Sequence, residues 1–145
     1  MKGFNLSNLC KPRVVAEAEG ATTGTVYSDP VDTAGYQGVL FLTDYHVLNA
    51  GNYVFAEMHE DDAFGTHADL EGSKVMPDTV DGAVWVDVFR PLLRYVRLAC
   101  LRGASTARGP IWAVLYGKHG DVPVDNNVAD EAVGVLVVSP PEGTA

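Results

Sequence analysis

The chain has 145 residues, of which 47% are hydrophobic and 20% charged, and its formal net charge is −9 at pH 7. This composition is that of a globular protein with one core, which excludes a disordered or fibrous chain. The negative charge would repel a phosphate backbone, so we expect no nucleic-acid partner. We also expect no membrane contact and folding in a reducing cytosol, because no signal peptide or run of ~18 apolar residues is seen.

Residues 1–38 have an irregular pattern, in which glycines and prolines interrupt short β-prone pieces at 13–16 and 25–27. We interpret this region as an N-terminal arm with short strands.

Two firmer strands follow. Residues 37–47 alternate in the manner of a strand, and residues 53–59 are the predicted hairpin partner after a turn at 49–52. Residues 60–81 are acidic and rich in turn formers, which indicates a connection to the next part of the sheet.

The centre of the predicted fold consists of three consecutive strands rich in valine and aromatic residues. These strands are residues 83–89, 94–101 and 111–116. Pro91 favours a turn at 90–93 between the first two, and residues 102–109 would form the loop before the third. The sequence therefore predicts a β-meander.

Alternation along this meander gives two apolar faces. In the predicted register, Phe89 faces Arg94 and Trp85 faces Leu98 on a first face. The second face carries valines together with aromatic residues that have polar tips and one arginine, a composition enriched in interfaces. Its non-valine members include Tyr95, Arg97, Trp112 and Tyr116. A sheet that is apolar on both sides needs cover on both. We assign the second face to a neighbouring subunit or an arm, with cover by the same chain as the alternative.

Leu92 and Leu93 lie at the predicted turn, where exposed apolar side chains need a covering surface. Contact with a partner and folding back onto the domain's own rim both meet that need. The interface candidates are therefore Leu92, Leu93, Tyr95, Arg97, Trp112 and Tyr116.

The remaining pattern completes an all-β chain. After residue 116, a loop precedes a predicted last strand at 133–138 and a tail that contains a proline pair. Short strands at near-regular spacing predict a jelly-roll-like β-sandwich, or a small barrel, with extended N- and C-terminal arms. Its predicted parts are the arm at 1–38, the sandwich core at 39–128, and the last strand with the tail at 129–145.

The sequence shows no pattern for catalysis, metal binding or cofactor binding, and we expect none of these. The four histidines lack the close spacing of a zinc site, and the acidic connection lacks the order of calcium ligands. No G-x-S-x-G elbow or Gly-rich phosphate loop occurs. The arginines of the meander would pair with Asp87 and its neighbours, or bind acidic patches on a partner; for Arg102 and Arg108 we favour pairing.

Several short motifs resemble a family of small structural proteins of tailed bacteriophages. They are EDD at 60–62, VWVDV at 84–88 followed by RP at 90–91, RYVR at 94–97, IWAVLYG at 111–117 and the ending VSPPEGTA at 138–145. The resemblance covers residues 39–145, and the RYVR and EGTA motifs contribute most to it.

Proteins of this family are usually encoded beside the major capsid protein and serve as capsid decoration, or cement, proteins. The resemblance implies a non-enzymatic all-β subunit, commonly a trimer, that binds the outer surface of the assembled head, bridges capsid subunits and stabilises the shell. Its expected place is the virion, after assembly in the host cytoplasm. At Leu92 and Leu93 this chain departs from the family pattern, in which charged residues are usual.

Two other functions are consistent with the sequence. One is a different virion role, such as a head–tail connector or tail component. The other is a carbohydrate-binding, adhesin-like β-sandwich.

Overall fold

The computed structural model describes residues 5–119 and Gly134. In chain order the elements are α1 (Leu6–Leu9), β1 (Cys10–Ala16), β2 (Glu19–Tyr27), β3 (Val31–Asp32), β4 (Gly38–Asp44), β5 (Tyr53–His59), β6 (Ala68–Asp69), β7 (Ala83–Phe89), β8 (Tyr95–Arg108) and β9 (Ile111–Tyr116). The helix α1 has 4 residues, and the described part of the chain holds no helix that would span a bilayer.

The strands form two antiparallel sheets that share one core, so the predicted all-β sandwich is confirmed. Sheet A has the order β1-β9-β4-β7. Sheet B has the order β2-β8-β5-β6, and β3 also pairs with β8. The described strands do not close into a barrel.

Alternation of side chains along each strand builds the core. In β7, Val84, Val86 and Val88 are 3%, 6% and 5% exposed, while the residues between them face solvent. Phe41 of β4 and Leu98 of β8 belong to the same buried cluster. Each such side chain contributes about 1.5–3 kcal/mol by leaving water. The sandwich is therefore held together by one face of each of β4, β5, β7, β8 and β9.

The predicted β-meander is wrong. Strand β7 pairs with β4, β8 pairs with β2 and β5, and β9 pairs with β1 and β4, so these three strands do not pair with one another. Phe89 lies opposite Gly38 rather than Arg94, and Trp85 lies opposite Leu42 rather than Leu98. The connection after β7 crosses from sheet A to sheet B. A short connection containing proline fits a crossing as well as a hairpin, and the crossing buries one face of each strand in a common core.

The predicted hairpin of residues 37–47 with 53–59 is also wrong, because β4 lies in sheet A and β5 in sheet B. Tyr45 lies where the chain crosses, and it is fully buried. Its hydroxyl is 2.8 Å from the carbonyl oxygen of Tyr53 and 2.9 Å from that of Leu101, both in sheet B. This side chain therefore joins the crossing segment to the opposite sheet.

The predicted loop at 102–109 is mostly strand, because β8 continues to Arg108. The side chains of Arg102 and Arg108 are each 1% exposed, and both reach Glu19 of β2, at 2.7 and 3.4 Å. The partner of these two arginines is thus Glu19 and not Asp87. Glycine and serine in this stretch favour a loop locally, but pairing with the distant β2 extends the strand.

The chain termini contribute differently to the two sheets. The β-prone pieces at 13–16 and 25–27 lie within β1 and β2, which are paired strands of sheet A and sheet B. The predicted strand at 133–138 lies outside the described residues, except for Gly134, which is exposed.

Replacement of a core phenylalanine tests the packing of the two sheets. We expect Phe41→Ala to lower the free energy of unfolding by about 3–5 kcal/mol, because Phe41 is fully buried and the surrounding residues would enclose a cavity. Phe89→Ala is the matched control, since Phe89 is 56% exposed, and it should cost about 1 kcal/mol or less. Urea denaturation measures both values. Equal losses would contradict the assignment of inner and outer faces.

Candidate protein-interaction face

The outer side of sheet A carries three rows of residues that run across its four strands. The first row is Val14, Trp112, Leu42 and Trp85; the second is Pro12, Val114, Leu40 and Asp87; the third is Cys10, Tyr116, Gly38 and Phe89. We call this surface the sheet A face. The strand register fixes which residues are neighbours in each row of this face.

Three large aromatic side chains dominate the sheet A face. Trp85 is 60% exposed, Phe89 56% and Trp112 41%. The aliphatic residues between them are half-buried, so the apolar surface is continuous across the strands. Aromatic side chains on a rigid support lose little conformational entropy on binding and are enriched in interfaces. The face has the composition of a protein-binding surface.

The acid of this face, Asp87, has a hydrogen-bond partner on the face itself. The Tyr116 hydroxyl donates to Asp87 Oδ1 at 2.6 Å. To reach it, the Tyr116 ring crosses β4 over Gly38, where a Cβ atom would lie 2.6 Å from the ring carbon Cζ and 2.8 Å from the Val88 carbonyl oxygen. Glycine at this position therefore makes the bond possible. The bond satisfies one oxygen of the carboxylate, which lowers the cost of covering the face.

Partial burial, and then the hydrogen bond to Asp87, raise the pKa of the Tyr116 hydroxyl above its ordinary value. The phenol stays protonated at neutral pH and remains a donor. The same cause, burial above all, raises the pKa of the Cys10 thiol at the end of the third row. Neither group adds charge to the sheet A face near pH 7.

A small depression lies at one end of the face. It has a volume of about 160 Å³ and is lined in part by Leu42, Trp112, Ala83 and Pro110. Asp44 lies at its rim and pairs with His46 at 2.8 Å. A depression of this size suits one small apolar side chain from a partner, the arrangement that produces binding hot spots.

The outer side of sheet B is different, because the chain covers much of it. Glu57 is 2% exposed and binds Arg97 Nε at 2.6 Å. The Arg97 guanidinium lies 4.1 Å from the ring centre of Tyr27 and 4.3 Å from that of Phe64. Phe64 belongs to the connection after β5 and is 4% exposed. This cluster holds a loop over sheet B. The Arg97 guanidinium makes its contacts within the chain, with Glu57, Tyr27 and Phe64.

The structure separates the predicted interface residues. Trp112 and Tyr116 lie on the sheet A face, while Tyr95 and Arg97 point outward from sheet B on the opposite side of the sandwich. The predicted second face therefore does not exist as one surface. The turn residues are elsewhere again: Leu92 is 86% exposed, and Leu93 is half-buried.

The sequence interpretation missed that Trp85 and Phe89 face outward from the sandwich, because the meander placed them with the core residue Leu98. A signal was present in β7 itself. Asp87 alternates in phase with Trp85 and Phe89, and an unpaired carboxylate does not favour a core. The valines in the other phase are the buried ones.

The histidine and acidic side chains of the described residues form no metal site. Among residues 5–119 and Gly134, no group of three or more histidine, cysteine or acidic side chains is placed to hold a metal ion. The two close His–carboxylate contacts of the sheet B side, His59 with Asp61 at 3.0 Å and His67 with Glu57 at 3.1 Å, are separate pairs.

No protein-family model matches the chain, and no curated protein matches it. Functional interpretation therefore depends on the sheet A face and on the sequence motifs.

Adding a methyl group at Gly38 tests the arrangement of Tyr116. We expect Gly38→Ala to lower the free energy of unfolding by about 1–3 kcal/mol, because the new Cβ displaces the Tyr116 ring and meets the Val88 carbonyl. The same substitution in a Tyr116→Ala background should cost less, since the ring is no longer there to displace. A chemical denaturation cycle of the four proteins measures the difference. Additive costs would show that the ring does not lie over Gly38.

The raised pKa of Tyr116 predicts a dependence on alkaline pH. An unfolded tyrosine ionises near pH 10, whereas the folded Tyr116 hydroxyl stays protonated to higher pH. Unfolding is therefore favoured as pH rises above about 10, and stability from this group is fully present below that pH. Tyr116→Phe should flatten the loss of stability above pH 10, as followed by urea midpoints. An unchanged slope would show that Tyr116 does not titrate with folding.

Proposed function

We propose that this protein is a bacteriophage capsid decoration protein, which binds the outer surface of the assembled head and stabilises it by bridging capsid subunits. The observation that carries this proposal is the sheet A face. It exposes Trp85, Phe89 and Trp112 on a rigid support, and its acid is hydrogen-bonded in place. The sheet A face is the proposed contact surface.

The physical chemistry of the face favours a protein surface as its partner. Burial of apolar area is worth about 25 cal/mol per Å², and stable interfaces bury about 800 Å² on each partner. The three rows of the sheet A face would form the apolar centre of such an interface. Fixed strands and aromatic side chains reduce the entropy that binding would cost.

The charge of the chain is consistent with a position outside the shell. The net charge is −9, and the acidic residues of 60–81 lie outside the three rows of the sheet A face, with Glu71 and Asp78 beside its β7 edge. A subunit with this charge would be repelled by the packaged DNA on the inside of a head. On the outside, its acidic surface would face solvent.

The RYVR motif, which contributes to the family resemblance, builds sheet B. Val96 is fully buried, and Arg97 holds Glu57. Arg94 forms a bidentate pair with Asp32 of β3, at 2.9 and 2.7 Å. These pairs lie within sheet B, so the motif contributes to the fold, and the proposed contact surface lies on sheet A.

The proposal includes a trimer, the usual form in the family that the motifs resemble. In a cyclic trimer each copy would contact the next through different surfaces. Leu92, which is 86% exposed, would then be available at the rim for a neighbouring copy or for the capsid.

A second candidate function, carbohydrate binding, has one observation in its favour. Trp85 and Trp112 flank Leu42 in one row, and two exposed indoles could stack on sugar rings. The shortage of polar groups beside them favours a protein partner, because sugars need several hydrogen bonds for orientation. Glycan-array binding that is lost in Trp112→Ala would select this function.

Binding to empty heads tests the proposal, with the heads assembled from the major capsid protein that the resemblance implies is encoded beside this chain. We expect Trp112→Ala to weaken binding by about 2 kcal/mol, or about 30-fold in Kd, as for a buried aromatic anchor. Tyr27→Ala is the matched control, because Tyr27 is 46% exposed on the sheet B side. Sedimentation of heads with labelled protein gives both affinities. No binding by the unaltered protein, or equal loss in the control, would contradict the proposal.

A further inference from the structure

Strand β7 forms one edge of sheet A, and its outer side has no strand partner among the described residues. It has 7 residues and pairs with β4 over its whole length without a register shift. Such an edge presents a row of backbone N–H and C=O groups to any extended chain that approaches it.

The other three sheet edges carry features that discourage pairing. Strand β1 contains Pro12 and a register shift after Val14. Strand β2 has two register shifts, and Gly24 has φ of +108°. Strand β6 has 2 residues. Prolines, bulges and short strands are the usual protections of an edge. Strand β7 has none of them, and its one charged residue, Asp87, is bonded to Tyr116.

A groove runs along this edge. It has a volume of about 580 Å³, and it is lined by β7 on one side and by residues of the 70–78 segment on the other. Large apolar side chains are exposed along it, because Met76 is 53% exposed and Trp85 60%. An extended strand lies about 4.8 Å from its neighbour and presents side chains on both faces. The groove offers apolar surface to it.

The far wall of the groove is held in place. Val75 exchanges two backbone hydrogen bonds of 2.9 Å with Val54 of β5. The Ser73 hydroxyl donates to the Leu70 carbonyl at 2.7 Å and accepts from the Ala56 N–H at 3.0 Å. The groove is thus formed before any occupant arrives, which lowers the cost of binding.

The charge of the groove identifies the kind of occupant. Its lining includes three carboxylates, those of Glu71, Asp78 and Asp87, and no lysine or arginine. The negative potential favours a segment with basic side chains and disfavours an acidic one. The segment at 133–138 of this chain is flanked by Asp130, Glu131 and Glu142, so it fits the groove poorly.

We propose that the groove beside β7 is a strand-acceptor site that binds an extended segment of a different polypeptide, with alternating apolar residues and at least one lysine or arginine. The segment adds to sheet A by backbone pairing with β7, and its apolar side chains pack between Trp85 and Met76. This inference rests on the proposed function in one respect, since the donor would then be a segment of the capsid protein. The acceptor groove itself is defined by this chain alone.

A designed peptide tests the site without a capsid. The probe is capped Lys-Val-Thr-Val-Arg-Val-Thr-Val, whose length of about eight residues matches β7. Its acidic counterpart has glutamate at both basic positions. Fluorescence anisotropy with the full chain should show at least about tenfold tighter binding of the basic peptide at low salt. Equal binding of the two peptides, or none, would overturn the proposal.

Two N-methylated forms of the basic peptide test backbone pairing. One carries methyl groups on the odd-numbered amides and the other on the even-numbered amides. Along one side of a strand only alternate amides point at the neighbour. One of the two peptides should therefore lose at least about tenfold in affinity while the other binds as before. Equal effects of the two forms would rule out strand addition.

Two protein variants separate this site from the proposed function. Trp85→Ala removes a groove residue, whereas Trp112→Ala changes the same row on β9, away from the edge. Peptide binding should fall in Trp85→Ala alone, while binding to heads should fall in both. If the unaltered protein binds heads in a manner that depends on Trp112 but does not bind the peptide, the strand-acceptor site is overturned and the proposed function stands. If the unaltered protein binds the peptide but not heads, the proposed function is overturned and the strand-acceptor site stands.

Two other occupants of the groove would give distinct results. If the C-terminal segment of the same chain held it, Leu136→Asp in the full chain would raise peptide affinity severalfold. If a second copy held it, peptide affinity would fall as the protein concentration rises. Either result would overturn the proposal of a basic segment from another polypeptide.

Discussion

The packing of alternate side chains between two sheets is the constraint on which the molecule depends. Strands β4, β5, β7, β8 and β9 each give one face to this core, as Phe41 does from sheet A and Leu98 from sheet B. Period-two alternation then commits the other face of the strand to the outside. Apolar residues in the outward phase of a strand therefore stay outside the core. They remain exposed unless a loop or a partner covers them.

The two sheets meet this requirement in different ways. On sheet B, the connection after β5 folds back, Phe64 and Tyr27 flank the Arg97 guanidinium, and Glu57 is buried beneath them. Buried charge of this kind is stable only when it is paired, and here the pairing also holds the loop. On sheet A, the described residues provide no such loop, and Trp85 and Trp112 remain exposed. The difference gives the sandwich one side that is partly covered by its own loop and one side with exposed aromatic residues.

The sheet A face and the edge of β7, which is unpaired among the described residues, meet at Trp85 and Phe89. A partner that covers the sheet A face could therefore also extend the sheet, so that apolar burial supplies affinity and backbone pairing supplies register. The Tyr116 hydroxyl binds Asp87 on this surface, and Gly38 leaves room for the Tyr116 ring to reach it. The acidic groove would add selectivity, because charge complementarity affects partner choice and association rate more than affinity.

The sequence by itself determined the class of fold and most strand positions, since alternation and β-branched residues are local signals: the predicted strand at 83–89 coincides with β7, and that at 111–116 with β9. It also identified Trp112 and Tyr116 as surface candidates. Only the tertiary structure decided which strands pair, because a hairpin and a crossing between sheets need the same short connection. That choice placed Tyr95 and Arg97 on the opposite side and brought Trp85 beside Leu42. Ion pairs between residues far apart in sequence, such as Glu19 and Arg102, cannot be predicted from the local pattern, because only the folded chain brings the two residues together.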